Sequence, residues 1–417
     1  MRLITKFTVP VLLLAINTAV FAQENCEAYP PREVTAKALD EATYKQLSDA
    51  YEDIGADKYA EAKQALDKLE DRAQEGSYAQ AIILQALGHT VAAQENYDES
   101  ITYFQKSIEL NALPDAQHYQ MLFAVAQILM SRERFEEGLE TLNEWLCVTP
   151  PEDITADAYR LKASGNIELE RYRLALEAID KAIQLEEEPK KNLYQIKLGI
   201  YFELEELSNA AETLVSMITF WPDEESSWKQ LSSIYLNLKQ ENRALSVLEI
   251  AHQKGFVDTQ AEILQLSSLY QVQDIPYNAA DILEKGIIEG KVEANKKYWE
   301  QTANAWYQAR ELDKSLAAYD KAGQFSNDGK IDLRRGFILI DRQDWNSAKA
   351  ALVRAIEKGG LSDNETGNAY LLIGMSEMSL ERFQAATNAF NSARRFDRSR
   401  GAANQWLEQV RQKLASS

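Results

Sequence analysis

The sequence contains only three histidines and two cysteines among its 417 residues. His89, His118 and His252 have no second histidine three or four residues away, and no histidine–cysteine cluster has the spacing of zinc ligands. A P-loop, a G-x-G-x-x-G segment after a strand and a G-x-S-x-G nucleophile elbow are also absent. We therefore predict no metal, no cofactor and no catalytic residue, and an enzyme is the least favoured class.

Glycine and proline are scarce too, at 17 and 9 residues, and no segment alternates polar and apolar residues. A sheet-containing fold needs such alternation and frequent turn residues, so the composition favours an all-α fold. The acidic run Glu186 to Glu188 precedes Pro189 at a predicted helix end. We interpret this run as a solvated loop and not as a catalytic carboxylate pair.

A pattern with a period of about 34 residues runs through the chain. In the segment that begins at Glu225, apolar and small residues follow the spacing of two successive helices: Trp228, Leu231, Ser232, Tyr235, Ala244, Leu248 and Ala251. Small residues at repeat positions 8 and 20 let two helices cross closely, and a bulky residue near position 24 fills the gap to the next pair. This spacing is typical of a tetratricopeptide unit.

Units of this kind start near residues 43, 81, 119, 156, 191, 225, 260, 296, 329 and 367. Pro276 supports one boundary, because it falls where a second helix begins and its missing N–H costs nothing there. The sequence therefore predicts a right-handed α-solenoid of about ten tetratricopeptide-like helix pairs. We divide it into arrays at residues 41–220 and 221–397 and a C-terminal capping helix at residues 398–417.

The N-terminus has the features of a secretory signal. Arg2 and Lys6 precede a largely apolar stretch from Phe7 to Val20, and residues 20–22 offer small side chains at the positions that a signal peptidase reads. We predict a cleaved signal peptide at residues 1–22 and an extended lead-in at residues 23–40. The alternative is an uncleaved membrane anchor, although the apolar run is shorter than the roughly 20 residues of a spanning helix. We expect export, with no membrane span after cleavage.

Export also gives the two cysteines a possible role. Cys26 lies in the lead-in, and Cys147 lies at the end of the second helix of the third unit. The lead-in reaches on the order of 50 Å at about 3.3 Å per residue, enough to pass two repeat layers. We predict a Cys26–Cys147 disulfide, which an oxidising compartment permits, and two independent thiols are the alternative.

Charge is distributed unevenly along the chain. Residues 23–220 contain 38 acidic and 18 basic residues, whereas residues 221–417 contain 27 and 25. An acidic half repels nucleic acid and anionic lipid and attracts a basic partner segment. The alternative is a solvated surface that only keeps the protein soluble.

The inner, concave face of such a solenoid is formed by repeat positions 2, 5, 9, 12 and 13 of each first helix. The candidate binding residues on this face are Gln85, His89, Phe123, Gln127, Met130, Lys229, Ser233, Asn237, Asn304, Tyr307, Phe337 and Met375. This mixture of polar and apolar groups suits an extended peptide or a helix. A recurring Lys–Asn pair at positions 5 and 9, which would indicate capture of a C-terminal carboxylate, is absent. The alternative is that the aromatic and methionine side chains only pack within the repeats.

Several strings resemble one family more narrowly, the exported tetratricopeptide proteins associated with TonB–ExbB–ExbD systems of Gram-negative bacteria. They are Ile275-Pro276-Tyr277 with the following nine residues to Gly286, Lys254-Gly255-Phe256, Glu357 to Leu361, and Arg398 to Leu407. The similarity extends over about residues 190–410. The resemblance implies a periplasmic partner of TonB or of ExbB/ExbD-type components in iron–siderophore uptake, with no catalytic residue. A general cell-envelope assembly scaffold unrelated to TonB is the alternative.

Overall fold

The computed structural model describes residues 26, 32, 34 and 38–416. The predicted signal peptide at residues 1–22 lies outside the described residues. Residues 38–416 form α-helices, a short 3₁₀ helix (Pro151–Asp153) and turns, without a strand. The twenty-one α-helices of this part are α1 (Glu41–Gly55), α2 (Tyr59–Glu70), α3 (Tyr78–Ala93), α4 (Tyr97–Glu109), α5 (Asp115–Ser131), α6 (Phe135–Val148), α7 (Ala156–Glu168), α8 (Tyr172–Leu185), α9 (Lys191–Glu203), α10 (Leu207–Phe220), α11 (Glu225–Asn237), α12 (Glu241–Gln253), α13 (Gln260–Val272), α14 (Pro276–Ile288), α15 (Lys296–Gln308), α16 (Leu312–Gly323), α17 (Lys330–Asp341), α18 (Trp345–Lys358), α19 (Asp363–Ser379), α20 (Phe383–Ala393) and α21 (Asp397–Ser416).

The chain forms two compact units, residues 1–213 and 214–417. In unit 1, helices α1 to α8 form four successive pairs, and each pair packs on the next through α2 with α3, α4 with α5, and α6 with α7. In unit 2, α11 to α20 form five such pairs, and α21 packs against α19 and α20. The prediction of stacked helix pairs with a terminal capping helix is therefore confirmed.

Every pair is closed by the same turn. Its one residue in the left-handed region is never a glycine: Asp57, Glu95, Glu133, Glu170, Glu205, Lys239, Asp274, Arg310, Gln343 and Glu381 have φ between 56° and 62°. Polar and charged side chains at this position remain in solvent, while the backbone N–H groups that follow close the last turn of the first helix. The turn reverses the chain and so makes the two helices of a pair antiparallel.

Small residues at repeat positions 8 and 20 bring the paired helices together. Ser232 Oγ donates to the carbonyl oxygen of Ala244 at 3.2 Å, and Ser267 Oγ donates to that of Ala279 at 2.8 Å. These hydroxyls are buried, so each bond satisfies a donor that would otherwise lose its water partner. The predicted reason for small residues at these positions is therefore confirmed in unit 2.

No helix in the described part of the chain combines the length and the apolarity that crossing a bilayer requires.

Candidate protein-binding faces and the lead-in

The first helix of each pair has one buried and one accessible side. In α11, Trp228, Leu231 and Tyr235 are buried, whereas Ser233 and Asn237 are exposed. The same division holds in α13 and α15, because repeat positions 4, 7, 8 and 11 face the partner helix, whereas in α17 Leu333 at position 5 is buried and Arg335 at position 7 is half-buried. We call the surface formed by positions 2, 5, 9, 12 and 13 the first-helix face, and treat it separately in each unit.

Most candidate residues are accessible on this face. His89, Gln127, Ser233, Asn237 and Asn304 are exposed, and Gln85, Phe123, Lys229, Tyr307, Phe337 and Met375 are half-buried.

Met130 is the exception, since only 8% of its surface is exposed. A Cβ added to Gly165 would lie 2.7 Å from Met130 Cε, and one added to Gly138 would lie 3.1 Å from its Sδ. The thioether thus fills the space that two glycines leave between α5 and the helices α6 and α7. The prediction that Met130 lines the binding face is wrong, because the side chain belongs to the core.

Phe123, like Met130, packs partly into the core. Its ring packs against Trp145, with the centroids 4.8 Å apart, and it lies at the edge of the core cluster of α5, α6 and α7. Phe337 and Met375 also pack at the edges of core clusters in unit 2. These three side chains therefore support the packing alternative more than a binding role.

Two candidates bridge successive first helices. Lys229 Nζ of α11 lies 2.6 Å from Glu262 Oε1 of α13 and also contacts Glu225. The Tyr307 hydroxyl of α15 donates to the Asp341 carboxylate of α17. Because these partners stand in successive repeats, the contacts hold the first helices side by side within unit 2.

Asn304 is oriented by a buried tyrosine. The Tyr319 hydroxyl donates to Asn304 Oδ1 at 2.5 Å, and burial raises the pKa of Tyr319 to about 12, so the hydroxyl keeps its proton. The Asn304 amide nitrogen is then left as a donor on the surface. Asn304 lines an open cleft of about 350 Å³, together with Lys296, Lys297, Glu300 and Gln301.

Three exposed cations near this cleft were missed by the sequence analysis. Lys297, Lys330 and Arg334 occupy repeat positions 2, 2 and 6 of α15 and α17, and each side chain is exposed. Among the described residues, none of the three has a carboxylate within ion-pair distance. The sequence did contain a signal for these cations, namely lysine or arginine at position 2 or 6 of two consecutive units.

The sequence analysis also missed two buried carboxylates, each of which stands at a repeat position that is normally apolar. Asp332, at position 4 of its unit, is 4% exposed and lies 2.7 Å from Lys358 Nζ and 3.4 Å from Arg354 Nε. Glu377, at position 11, is 2% exposed and contacts Lys349. A charge at an apolar repeat position is the sequence signal for such a buried ion pair.

The lead-in is attached to unit 1 at two points. A disulfide joins Cys26 to Cys147, with the Cα atoms 5.2 Å apart. Arg32 inserts its guanidinium between α4 and α5, where it donates to Asn111 Oδ1 at 2.6 Å, to the Leu113 carbonyl at 2.9 Å and to Asp115 Oδ1 at 3.2 Å. The Arg32 side chain is only 7% exposed, so this docking is a specific contact and not a surface ion pair.

His118 lies beside this docked arginine. The imidazole is buried, and burial together with the Arg32 charge lowers its pKa to about 4, so it is neutral at pH 7. Burial also lowers the pKa of His89, whose ring packs edge-on against Phe104. Within the part of the chain that the structure describes, no three His, Cys, Asp or Glu side chains are arranged to hold a metal ion.

The comparison with protein families agrees with the helix pairs of unit 1. The tetratricopeptide repeat family model matches residues 86–157, from α3 to the first residues of α7. No curated protein matches the chain. Among solved structures, the MamA RS-1 double mutant is 18% identical, with a TM-score of 0.37 over 45% of this chain and 99% of that one.

Two further structures cover more of the chain. A C-terminal part of a tetratricopeptide repeat-containing protein from Cytophaga hutchinsonii is 16% identical, with a TM-score of 0.27 over 68% of this chain and 99% of that one. A tetratricopeptide repeat protein from Parabacteroides merdae is 14% identical, with a TM-score of 0.29 over 61% and 98%. Residues 86–157 thus carry tetratricopeptide repeats, and the helix pairs on both sides of them follow the same sequence pattern.

Proposed function

We propose that the protein is a non-enzymatic scaffold of the Gram-negative periplasm that binds segments of other proteins, and that one partner is the TonB energy-transduction complex of iron–siderophore uptake. The observation that carries the scaffold role is the division of each first helix into a buried and an accessible side. A repeated accessible face suits extended or helical segments of partners.

Export and the periplasmic location rest on the sequence of residues 1–22. The disulfide between Cys26 and Cys147 is compatible with that location, because such bonds persist in oxidising compartments. The TonB assignment rests on the strings between Lys254 and Leu407 and on the acidic charge of unit 1.

The acidic charge of unit 1 includes one interacting pair of carboxyls on α6. Its residues from 23 onward comprise 38 acidic and 18 basic side chains. On α6, Glu140 and Glu144 stand one helical turn apart, and burial together with the Glu140 charge raises the pKa of the Glu144 carboxyl. A basic segment bound at this helix would relieve that repulsion, as expected for the basic, proline-rich periplasmic stretch of TonB proteins.

The test is to mix the exported chain with a periplasmic TonB fragment and to measure binding by titration calorimetry at about 10 mM and 150 mM salt. The Debye length falls from about 30 Å to about 8 Å over this range, so we expect tighter binding at the lower concentration. The double variant Glu140→Gln/Glu144→Gln should weaken the complex.

The matched control is Glu109→Gln/Glu152→Gln, which removes the same charge from two other exposed positions of unit 1. An equal loss in both variants would show that only net charge matters. Absence of binding at low salt would exclude TonB as the partner. A detergent pull-down from cell envelopes that recovers assembly proteins without TonB would then support the general envelope scaffold.

A further inference from the structure

In the described part of unit 2, a compact group of cations forms no ion pair and lies next to cations that do. Lys296 Nζ lies 3.4 Å from Asp328, and Arg335 Nη2 lies 2.7 Å from Asp320. The neighbouring Lys297, Lys330 and Arg334 are exposed and, in the described part of the chain, have no carboxylate within 4 Å. The ion pairs of this region therefore leave three positive charges available to a ligand.

These cations belong to one surface because α15 and α17 lie side by side. The two helices are joined near their N-termini by Lys296 with Asp328 and near their C-termini by Tyr307 with Asp341. Lys330 and Arg334 are four residues apart and thus share one side of α17. We call the surface formed by Lys297, Asn304, Lys330 and Arg334 the basic cleft.

The basic cleft also contains a fixed hydrogen-bond donor. Because Tyr319 occupies Asn304 Oδ1, the free side of the Asn304 amide presents N–H groups to a ligand acceptor. A donor held in place before binding loses less side-chain entropy when the ligand arrives.

The acidic groups around the cleft are mostly occupied. The Glu365 carboxylate accepts from the backbone N–H of Ser362 at 2.8 Å, and the Ser362 bonds, followed by the more distant charges of Lys330 and Arg334, lower its pKa. Asp341 accepts from Tyr307, and Asp328 accepts from the backbone N–H of Lys330. Among the described residues that line the cleft, Glu300 is the one carboxylate, so the three cations without an ion pair outnumber it.

We propose that the basic cleft binds an acidic, extended segment of a partner protein through side-chain carboxylates. The cations are distributed over two neighbouring helices, which fits several carboxylates along a segment better than a single C-terminal carboxylate. The chain as a whole has a net charge of −20, which repels a nucleic acid more strongly than an acidic peptide because the phosphate backbone has the higher charge density. This inference rests on the proposed role as a protein-binding scaffold, but it concerns unit 2 and a ligand opposite in charge to the TonB stretch.

The test uses the exported chain and a fluorescein-labelled decapeptide of alternating Glu and Ser with an amidated C-terminus. Fluorescence anisotropy at about 20 mM salt should show saturable binding. The double variant Lys330→Gln/Arg334→Gln should weaken peptide binding roughly tenfold, because hydrogen bonds between charged groups are stronger than those between neutral groups. The variant Asn304→Ala should weaken it less. The matched control Lys321→Gln/Arg395→Gln removes two exposed cations elsewhere in unit 2 and should change binding less than twofold.

Each other outcome overturns the inference. Absence of saturable binding, or equal losses in the double variant and in its control, would show that the basic cleft is not a site. Binding of the same decapeptide only with a free C-terminus would assign a terminal carboxylate as the ligand. Tighter binding of a single-stranded oligonucleotide than of the peptide would assign nucleic acid. The TonB titration with unit 1 variants is independent of all these results, so the two proposals fail separately.

Discussion

The lead-in provides the sharpest test of how unit 1 is stabilised. The disulfide between Cys26 and Cys147 closes a loop of 121 residues that contains the first three helix pairs. We expect Cys26→Ser to lower the free energy of unfolding of unit 1 and to leave unit 2 unchanged, because a repeat packs only on its neighbours.

The expected magnitude follows from the length of the loop. Closing a loop of 121 residues removes conformational entropy from the unfolded chain equivalent to about 5 kcal/mol in the chain-entropy model. The three hydrogen bonds of Arg32 persist only while the lead-in stays docked. Since a domain is usually stable by about 5–15 kcal/mol, a loss of roughly 3–5 kcal/mol is a large fraction of the total.

Hydrogen exchange read by mass spectrometry measures this effect helix by helix. Protection in α1 to α6 should fall in Cys26→Ser and in the reduced wild type, whereas protection in α11 to α21 should stay constant. Cys147→Ser should match Cys26→Ser, because both open the same loop. Arg32→Ala keeps the disulfide and should cause a smaller loss.

A second measurement reports locally on the docked lead-in. Releasing Arg32 removes a positive charge and part of the cover of His118, so its pKa should rise from about 4 towards its ordinary value near 6.5. The His118 imidazole resonances in an NMR titration follow this change. Unchanged exchange in α1 to α6 together with an unchanged His118 pKa in Cys26→Ser would refute the reasoning. Equal loss of protection in unit 2 would refute the locality of the effect.

Three further predictions concern single side chains. Gly88→Ala should destabilise unit 1 by about 1–3 kcal/mol in urea unfolding, because the added Cβ would lie 2.5 Å from Phe104 Cε1. Gly199→Ala should instead stabilise unit 1 by about 0.5–1 kcal/mol, because its Cβ would meet no atom within 4 Å. Equal effects of the two variants would contradict the packing argument. Asp332→Ala should lower the free energy of unfolding of unit 2 by about 2–3 kcal/mol. This loss is towards the low end for a broken buried ion pair, because the cations left behind are half-exposed. Asp332→Leu should restore roughly 1.5 kcal/mol of that loss in the same urea unfolding assay, because the leucine side chain buries apolar surface. Since His118 is neutral when folded and protonates more readily when unfolded, the stability of unit 1 should fall by up to about 3 kcal/mol as the pH drops from about 6.5 to 4; a pH profile unchanged in His118→Gln would disprove this origin.

The sequence by itself predicted the helix pairs because the apolar and small positions repeat within each pair. The predicted starts at 156, 191, 225, 260 and 296 coincide with the first residues of α7, α9, α11, α13 and α15. The starts at 43, 81, 119 and 367 fall two to four residues inside α1, α3, α5 and α19. These helices have 15 to 17 residues, and α19 begins with a capping box at Ser362 and Glu365 that the repeat pattern does not include.

The accessibility of individual face residues was decided only by the tertiary structure. Met130 and Gln127 share a helix and both fit the pattern of the binding face, yet Met130 is buried and Gln127 is exposed. The difference arises from Gly138 and Gly165, which leave a space that the Met130 side chain fills. Residues 8 to 35 positions apart meet at this point, and a local pattern contains no information about such a contact.

The pairing of charged side chains was likewise decided by the tertiary structure. The sequence determined how many acidic and basic residues each part contains, and hence the acidic character of unit 1. Only the structure decided which cations are neutralised, because Lys229 reaches Glu262 in the next repeat whereas Lys297 and Arg334 reach no carboxylate among the described residues. Pairing depends on distances of a few ångströms between side chains of different helices, and those distances are set by how the repeats stack.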